Sequence, residues 1–215
     1  GMNVCFMESD HLKKNQMKKF KTMAIIWAFI SCSCIDKQAI RYDKFTFHND
    51  KQRTGWNPDE AWLTPESVSG SAFGQLWQTP QFDSVDGAEP RLFASPLYVD
   101  QLTLSSGPNQ GKTFSVVFAA TDVGYLYAVN ATAVDDIAPG TILWSRRISE
   151  ERPRGAGNLS TPVIDLERQR IYAVGNDGES PWRAYALDLR SGEQLENWPV
   201  ALDSATISAV NRNSG

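Results

Sequence analysis

The chain has 215 residues, of which 41% are hydrophobic and 11% aromatic, values that suit a globular protein with a sizeable core. Residues 35–215 hold 16 basic and 23 acidic side chains, a net charge of −7. Without a basic stripe, this part of the chain lacks the electrostatic attraction on which binding to nucleic acids and anionic membrane surfaces depends.

The first 34 residues have the layout of an export signal. Lysines between positions 13 and 21 precede the apolar run 23–30, which is too short for the roughly 20 residues that span a bilayer. All three cysteines lie in the same stretch, so the rest of the chain suits an oxidising compartment or a β-protein that has no use for thiols. We therefore predict that residues 1–34 are a leader and that the protein is extracytoplasmic: periplasmic, on the cell surface or secreted.

A lipid attachment site is predicted at the end of this leader. Ser31 precedes Cys32 and Phe29 lies three positions before the cysteine, which resembles the lipobox of bacterial lipoproteins. Acylated Cys32 would anchor the protein to a membrane through an N-terminal lipid. Cys34 is a second candidate, and the alternative is ordinary signal cleavage or a short interfacial anchor, in either case without acylation.

Residues 35–72 are polar with scattered aromatic side chains, which predicts an extended lead-in with little helix. One short helical turn is expected where Thr64 can cap it, because Pro65 fits the first helical position.

From Phe73 onward the sequence predicts short strands separated by turns. The predicted strands cover 75–79, 92–100, a hairpin at 116–130 and 142–146. The order then recurs: residues 160–165 resemble 95–100, residues 170–175 resemble 116–120, and residues 183–188 resemble 125–130. Trp198 corresponds to Trp144. Both tryptophans are expected to pack between sheets. The pattern predicts an all-β protein of antiparallel four-stranded propeller blades, and two sheets of a sandwich are the alternative.

Residues 124–130 (Gly-Tyr-Leu-Tyr-Ala-Val-Asn) and 184–192 (Ala-Tyr-Ala-Leu-Asp-Leu-Arg-Ser-Gly), each followed by a tryptophan, resemble the pyrroloquinoline-quinone (PQQ) repeat. This repeat builds the propellers of quinoprotein alcohol dehydrogenases and of BamB-type outer-membrane assembly lipoproteins. The resemblance covers residues 45–200. It implies a quinoprotein-type β-propeller of which residues 73–215 would form about two and a half blades, so we expect an incomplete, N-terminal part of a ring.

The resemblance leaves two functions open. The first is a binding or assembly module that takes an unknown protein or small-molecule ligand. The alternative is the N-terminal part of a periplasmic alcohol or sugar dehydrogenase, in which further blades would supply PQQ, calcium and the catalytic residue. Ala94 stands where the active relatives carry an acidic quinone contact, and residues 154–160 lack their cysteine pair, so the binding module is the first choice.

The chain itself presents no predicted catalytic, cofactor-binding or metal-binding residue; its two histidines are too few for a His-rich metal site. A binding patch for an acidic ligand or peptide is predicted on the connection between the two repeats. Its residues are Arg146, Arg147, Arg152, Arg154 and Asn158. The alternative is a solvated loop paired with Glu150 and Glu151.

Overall fold

Strands carry almost all of the regular structure. The computed structural model describes residues 43–57, 63–149, 160–176 and 182–205, which belong to one compact unit. In these residues the helix is α1 (Pro65–Ser69), and the strands are β1 (Leu97–Thr103), β2 (Thr113–Ala120), β3 (Tyr125–Asn130), β4 (Ile142–Arg147), β5 (Val163–Asp165), β6 (Arg170–Gly175), β7 (Arg183–Asp188) and β8 (Val200–Ala201). The predicted all-β class is confirmed.

The short helix begins at the predicted cap. The Thr64 hydroxyl accepts the backbone N–H of Ser67 at 3.2 Å, and the Ser67 hydroxyl accepts the backbone N–H of Thr64 at 2.9 Å. Both donors at the start of the helix are therefore satisfied, and Pro65 has no N–H to lose there. None of the helical residues is buried, so α1 contributes little to the core.

The first sheet has the strand order β1-β2-β3-β4 and is antiparallel throughout. Its centre is the predicted hairpin of β2 and β3, which is confirmed, with Ala120 paired with Leu126. In the turn, Gly124 has a φ of 90°, which a side chain would strain. The Asp122 carboxylate accepts the backbone N–H of Arg91 at 2.7 Å, so this turn also holds the segment that leads into β1.

The second sheet repeats the first, with the order β5-β6-β7-β8. Phe118 is paired with Ala128 in the first sheet, and Tyr172 is paired with Ala186 in the second. Each of these rings contacts a tryptophan on or before the last strand of its own sheet. The ring centroids of Phe118 and Trp144 are 5.7 Å apart with an interplanar angle of 50°, and those of Tyr172 and Trp198 are 5.7 Å apart at 57°. The predicted repetition of the strand set is confirmed.

Two predicted strands differ in extent. Residues 75–79 form no ladder with any described residue; they lie beside the loop before β4, where a Cβ on Gly140 would overlap the carbonyl of Gln78. The strand predicted over 92–100 begins only at Leu97, because Pro96 has no N–H to donate to a ladder. Both corrections leave each sheet with four strands.

Trp144 joins the two sheets, as the sequence predicted. Its ring lies over Gly192, in the turn after β7, so closely that a Cβ on Gly192 would be 2.7 Å from ring atoms. Arg146 Nε donates a hydrogen bond to the Gly192 carbonyl at 2.9 Å. Around this contact one buried cluster draws on both sheets, with Phe118 and Ala128 from the first and Ile171, Ala173, Tyr185 and Leu187 from the second.

The two faces of each sheet have different roles. We call the face with Phe118 and Trp144, and its counterpart with Tyr172 and Trp198, the forward face, and the opposite one the rear face. The forward face of the first sheet packs on the rear face of the second. No described strand covers the forward face of the second sheet, where Val163 is 45% exposed and Trp198 is half-buried. Trp198 therefore contacts its own sheet instead of lying between two sheets.

The rear face of the first sheet is covered by the segment that precedes β1. Phe82 stacks on Tyr127 with ring centroids 4.2 Å apart. The Tyr127 hydroxyl donates to the Asp83 carboxylate at 2.9 Å and accepts the Asp83 backbone N–H at 3.0 Å. Burial raises the pKa of the Tyr127 phenol; the Asp83 N–H opposes this rise and the Asp83 carboxylate adds to it. A neutral phenol is thus part of the packing.

The first prediction concerns the contact between Trp144 and Gly192. We expect Gly192→Ala to lower the free energy of unfolding by about 2–4 kcal/mol, because the new methyl group would overlap the indole and distort the interface. Gly107→Ala is the matched control, since Gly107 has a similar φ of 79°, against 70° for Gly192, but no atom lies within 4 Å of the position that its methyl group would take. This control should lose only the backbone strain, about 1–2 kcal/mol. Urea unfolding followed by circular dichroism measures both values, and equal losses would contradict the packing role.

The second prediction concerns alkaline pH. The pKa of the Tyr127 phenol is raised in the folded state, so its contribution to stability is complete below the unfolded-state pKa of about 10 and is lost as the pH rises further. We expect the free energy of unfolding to fall between pH 10 and 11 by up to about 1.4 kcal/mol more in the wild type than in Tyr127→Phe. Urea titrations at each pH measure this difference, and parallel pH profiles would contradict it.

Candidate functional site

The candidate site lies where the first strands of the two sheets begin. The lead-in bridges these strands at their free edges. Lys44 pairs with Tyr98 through backbone bonds of 2.8 and 3.0 Å, and the carbonyl of Phe45 accepts the backbone N–H of Ile164 at 2.9 Å. The lead-in therefore satisfies backbone groups of both edges, which would otherwise be left open to another chain.

Ser95 and Thr161, which precede prolines at corresponding positions of the two repeats, are brought together. The backbone N–H of Ser95 donates to the Thr161 hydroxyl at 2.9 Å. Lys44 Nζ donates to the Ser95 hydroxyl at 2.8 Å. Three segments that are distant in sequence thus meet at one end of the sheets, which fixes the floor of the site.

A groove of about 400 Å³ opens beside this junction. Its lining combines apolar side chains, hydroxyl groups and one cation, contributed by Thr46, Phe47, Arg53, Phe93, Ser160, Thr161 and Val163. The apolar members are unusually exposed, at 40% for Phe47, 60% for Phe93 and 45% for Val163. Exposed apolar side chains gathered around a concave surface are typical of a binding site.

A tight loop, residues 48–55, positions the cation of the groove. His48, Asn49 and Arg53 have φ values of 57°, 72° and 58°, which side chains other than glycine seldom adopt. Backbone bonds hold this conformation, from Gly55 N–H to the His48 carbonyl at 3.0 Å and from Arg53 N–H to the Asp50 carbonyl at 3.0 Å. Such local strain persists only where the surroundings fix it and is common near functional sites.

The Asp50 carboxylate stabilises the same loop. It accepts the Thr54 hydroxyl and, at 3.3 Å, the Thr54 backbone N–H. The hydrogen bond from the Thr54 hydroxyl lowers the pKa of Asp50, so the carboxylate stays ionised at neutral pH. In the described residues no salt bridge or side-chain hydrogen bond engages the guanidinium of Arg53, which lines the groove.

The predicted arginine patch is only partly described. Arg152, Arg154 and Asn158 lie outside the described residues, as does the predicted lipid site Cys32. Arg146 and Arg147 are both exposed on β4, but neighbouring residues of a strand point to opposite faces. Arg146 Nε is engaged by Gly192, and Arg147 Nε donates to the Ser149 carbonyl at 3.1 Å. The structure therefore does not bring these two guanidinium groups together as one patch.

The groove was not predicted from the sequence. Its aromatic members are isolated in sequence, and its cation lies in a loop that carries no recognised motif. The available signal was the pair of Ser-Pro and Thr-Pro steps at 95–96 and 161–162, which mark the same end of two repeated strands. Ala94, which stands where the active relatives carry an acidic quinone contact, lies beside this junction. Its side chain is buried, with 5% of the residue exposed.

Comparison with known proteins gives no assignment: no family model, no curated protein and no solved structure matches the chain. In the described ranges, no cluster of three or more His, Cys, Asp or Glu side chains has the arrangement of a metal site. The helical structure described for this chain is too short to cross a membrane.

The third prediction concerns the junction under the groove. Thr161→Val keeps the side-chain volume but removes the acceptor of the Ser95 N–H, so we expect the free energy of unfolding to fall by about 1 kcal/mol. Thr161→Ser retains the hydroxyl and should stay within about 0.5 kcal/mol of the wild type. Urea unfolding of the three proteins provides the measurement. A valine variant as stable as the wild type together with a destabilised serine variant would show that the methyl group, and not the hydrogen bond, matters.

Proposed function

We propose that the two sheets are blades of a β-propeller of the PQQ-repeat type, within an extracytoplasmic protein that acts as a binding or assembly module. The observation that supports the fold proposal is the direction of packing. The forward face of one sheet meets the rear face of the next, and the second sheet carries its own Tyr172 and Trp198 on the face that points away. In a two-sheet sandwich, by contrast, each sheet buries one apolar face against the other and leaves its second face to solvent.

The uncovered forward face supports a larger ring. A closed propeller has four or more blades, so the proposal places these two sheets among others of the same kind. A succeeding sheet would cover Val163 and Trp198 as the second sheet covers Phe118 and Trp144. The chain already contains one such contact, since the second sheet covers the forward face of the first.

The groove supports a binding role. It is preformed, since its floor is fixed by hydrogen bonds among Lys44, Ser95 and Thr161, and its walls are exposed and apolar. An electron-transfer role with a quinone has less support, because Ala94 places a methyl group where the resemblance would require an acidic contact. Binding without chemistry is therefore the function that this end of the sheets supports best.

The fourth prediction tests this role by thermal unfolding with a mixed set of small carboxylates, amines, sugars and short peptides. We expect at least one compound to raise the unfolding midpoint of the wild type, by about 3 °C at ten times its dissociation constant. Phe93→Ser should abolish the effect, because it removes an apolar wall of the groove. Phe73→Ser is the matched control, since Phe73 is 59% exposed, like Phe93 at 60%, but lies outside the groove lining.

A redox assay separates the binding module from the dehydrogenase when it is done on the protein with every blade of the ring, because the dehydrogenase alternative places PQQ, calcium and the catalytic residue in further blades. With PQQ and calcium ions added, we expect no reduction of a redox dye by alcohols or sugars. Dye reduction under these conditions would contradict the proposed function. A set of compounds in which no stabilisation depends on Phe93 would contradict it as well.

A further inference from the structure

We propose that the groove binds a carboxylate carried on an aromatic or branched apolar group. This inference rests on the binding function proposed above and names the class of ligand. It follows from three properties of the lining: an unengaged cation, apolar walls and hydroxyl donors.

Among the described residues that line the groove, the only charge is positive. Arg53 lines the groove, and no described carboxylate forms a salt bridge with its guanidinium. A guanidinium matches the two oxygens of a carboxylate through paired hydrogen bonds, which are stronger than those between neutral groups. The whole chain carries a net charge of −4, so this positive lining is local and selects anions at one place on an acidic protein.

The walls are suited to an apolar body of modest size. Phe93 is 60% exposed, and Phe47, which is 40% exposed, is held in place by stacking on His48 with ring centroids 3.8 Å apart. A ligand that covers these two rings removes apolar surface from water on both walls of the cavity. The volume of about 400 Å³ lies at the small end of the range for ligand pockets, which favours one or two rings over a long chain.

The hydroxyl groups complement an anion as well. The Thr161 oxygen accepts the Ser95 N–H, and a hydroxyl that accepts one hydrogen bond can also donate one. Thr46 and Ser160 add further hydroxyls to the lining. A carboxylate has lone pairs for several such donors, whereas an amine would place its charge against Arg53.

The fifth prediction compares three probes by ligand-observed NMR titration of the whole chain. 2-Naphthoate carries both the charge and the rings, 2-naphthamide keeps the rings without the charge, and acetate keeps the charge without the rings. We expect 2-naphthoate to bind at least about tenfold more tightly than either of the others, because only it uses the cation and the walls together.

Two variants test the role of Arg53. Arg53→Gln should weaken binding of 2-naphthoate about tenfold and leave 2-naphthamide unchanged. Lys51→Gln is the matched control: it removes the same charge from the same loop, but Lys51 does not line the groove, and binding should be unaffected. Circular dichroism spectra that match the wild type show that both variants are folded.

The outcomes separate this inference from the proposed function. Equal affinity for 2-naphthoate and 2-naphthamide, or equal weakening by Arg53→Gln and Lys51→Gln, would overturn the carboxylate inference. If amines, sugars or peptides stabilise the protein in a Phe93-dependent way while 2-naphthoate does not bind, the inference fails and the binding function stands. If no ligand depends on Phe93, both fail.

Discussion

The contact of Trp144 with Gly192 is the interaction on which the rest of the structure depends. Each antiparallel sheet of four short strands has two apolar faces here, and burying such a face against another element stabilises the sheet. The indole covers one face and reaches the next sheet, where only a residue without a side chain leaves room for it. Arg146 then hydrogen-bonds the carbonyl of the same glycine, so apolar packing and a polar bond fix one position. Sheet spacing and orientation follow from this single place.

This constraint also explains the groove. With the sheets packed in this way, their first strands begin side by side, and the Ser95 nitrogen lies 2.9 Å from the Thr161 hydroxyl oxygen. The lead-in then pairs with both strand edges and carries Phe47 and the loop 48–55 to the same end. The groove is therefore a consequence of sheet packing combined with a segment from outside the sheets. Hydrogen bonds among Lys44, Ser95 and Thr161 already fix its base, so less conformational entropy is lost on ligand binding.

Much of the architecture could be predicted from local patterns. The turn at 121–124 indicated the hairpin, and the echo of its flanks indicated the second sheet, because alternation and turn residues act over a few positions. The limits of the strands were harder to predict. Residues 75–79 have strand-forming side chains but no partner among the described strands, because pairing depends on which segments lie beside them. The groove was beyond such reasoning, since Arg53, Phe93 and Thr161 meet only after both sheets are packed.

A comparison of Arg53 with Arg146 and Arg147 on β4 shows why a ligand site is expected at Arg53. Arg146 and Arg147 are adjacent on a strand, so the pleat sends them to opposite faces, and both of their Nε atoms donate to backbone carbonyls. Arg53 lies in a loop whose left-handed backbone is fixed by hydrogen bonds to the carbonyls of Asp50 and His48, and it lines a cavity. Loops at the ends of rigid sheets can combine side chains from distant segments, whereas a strand commits its side chains to the faces of its own sheet. The run of arginines in the sequence therefore indicated a patch around Arg146 and Arg147. The groove, which joins Arg53 to apolar walls, forms only when the sheets and the lead-in are packed together.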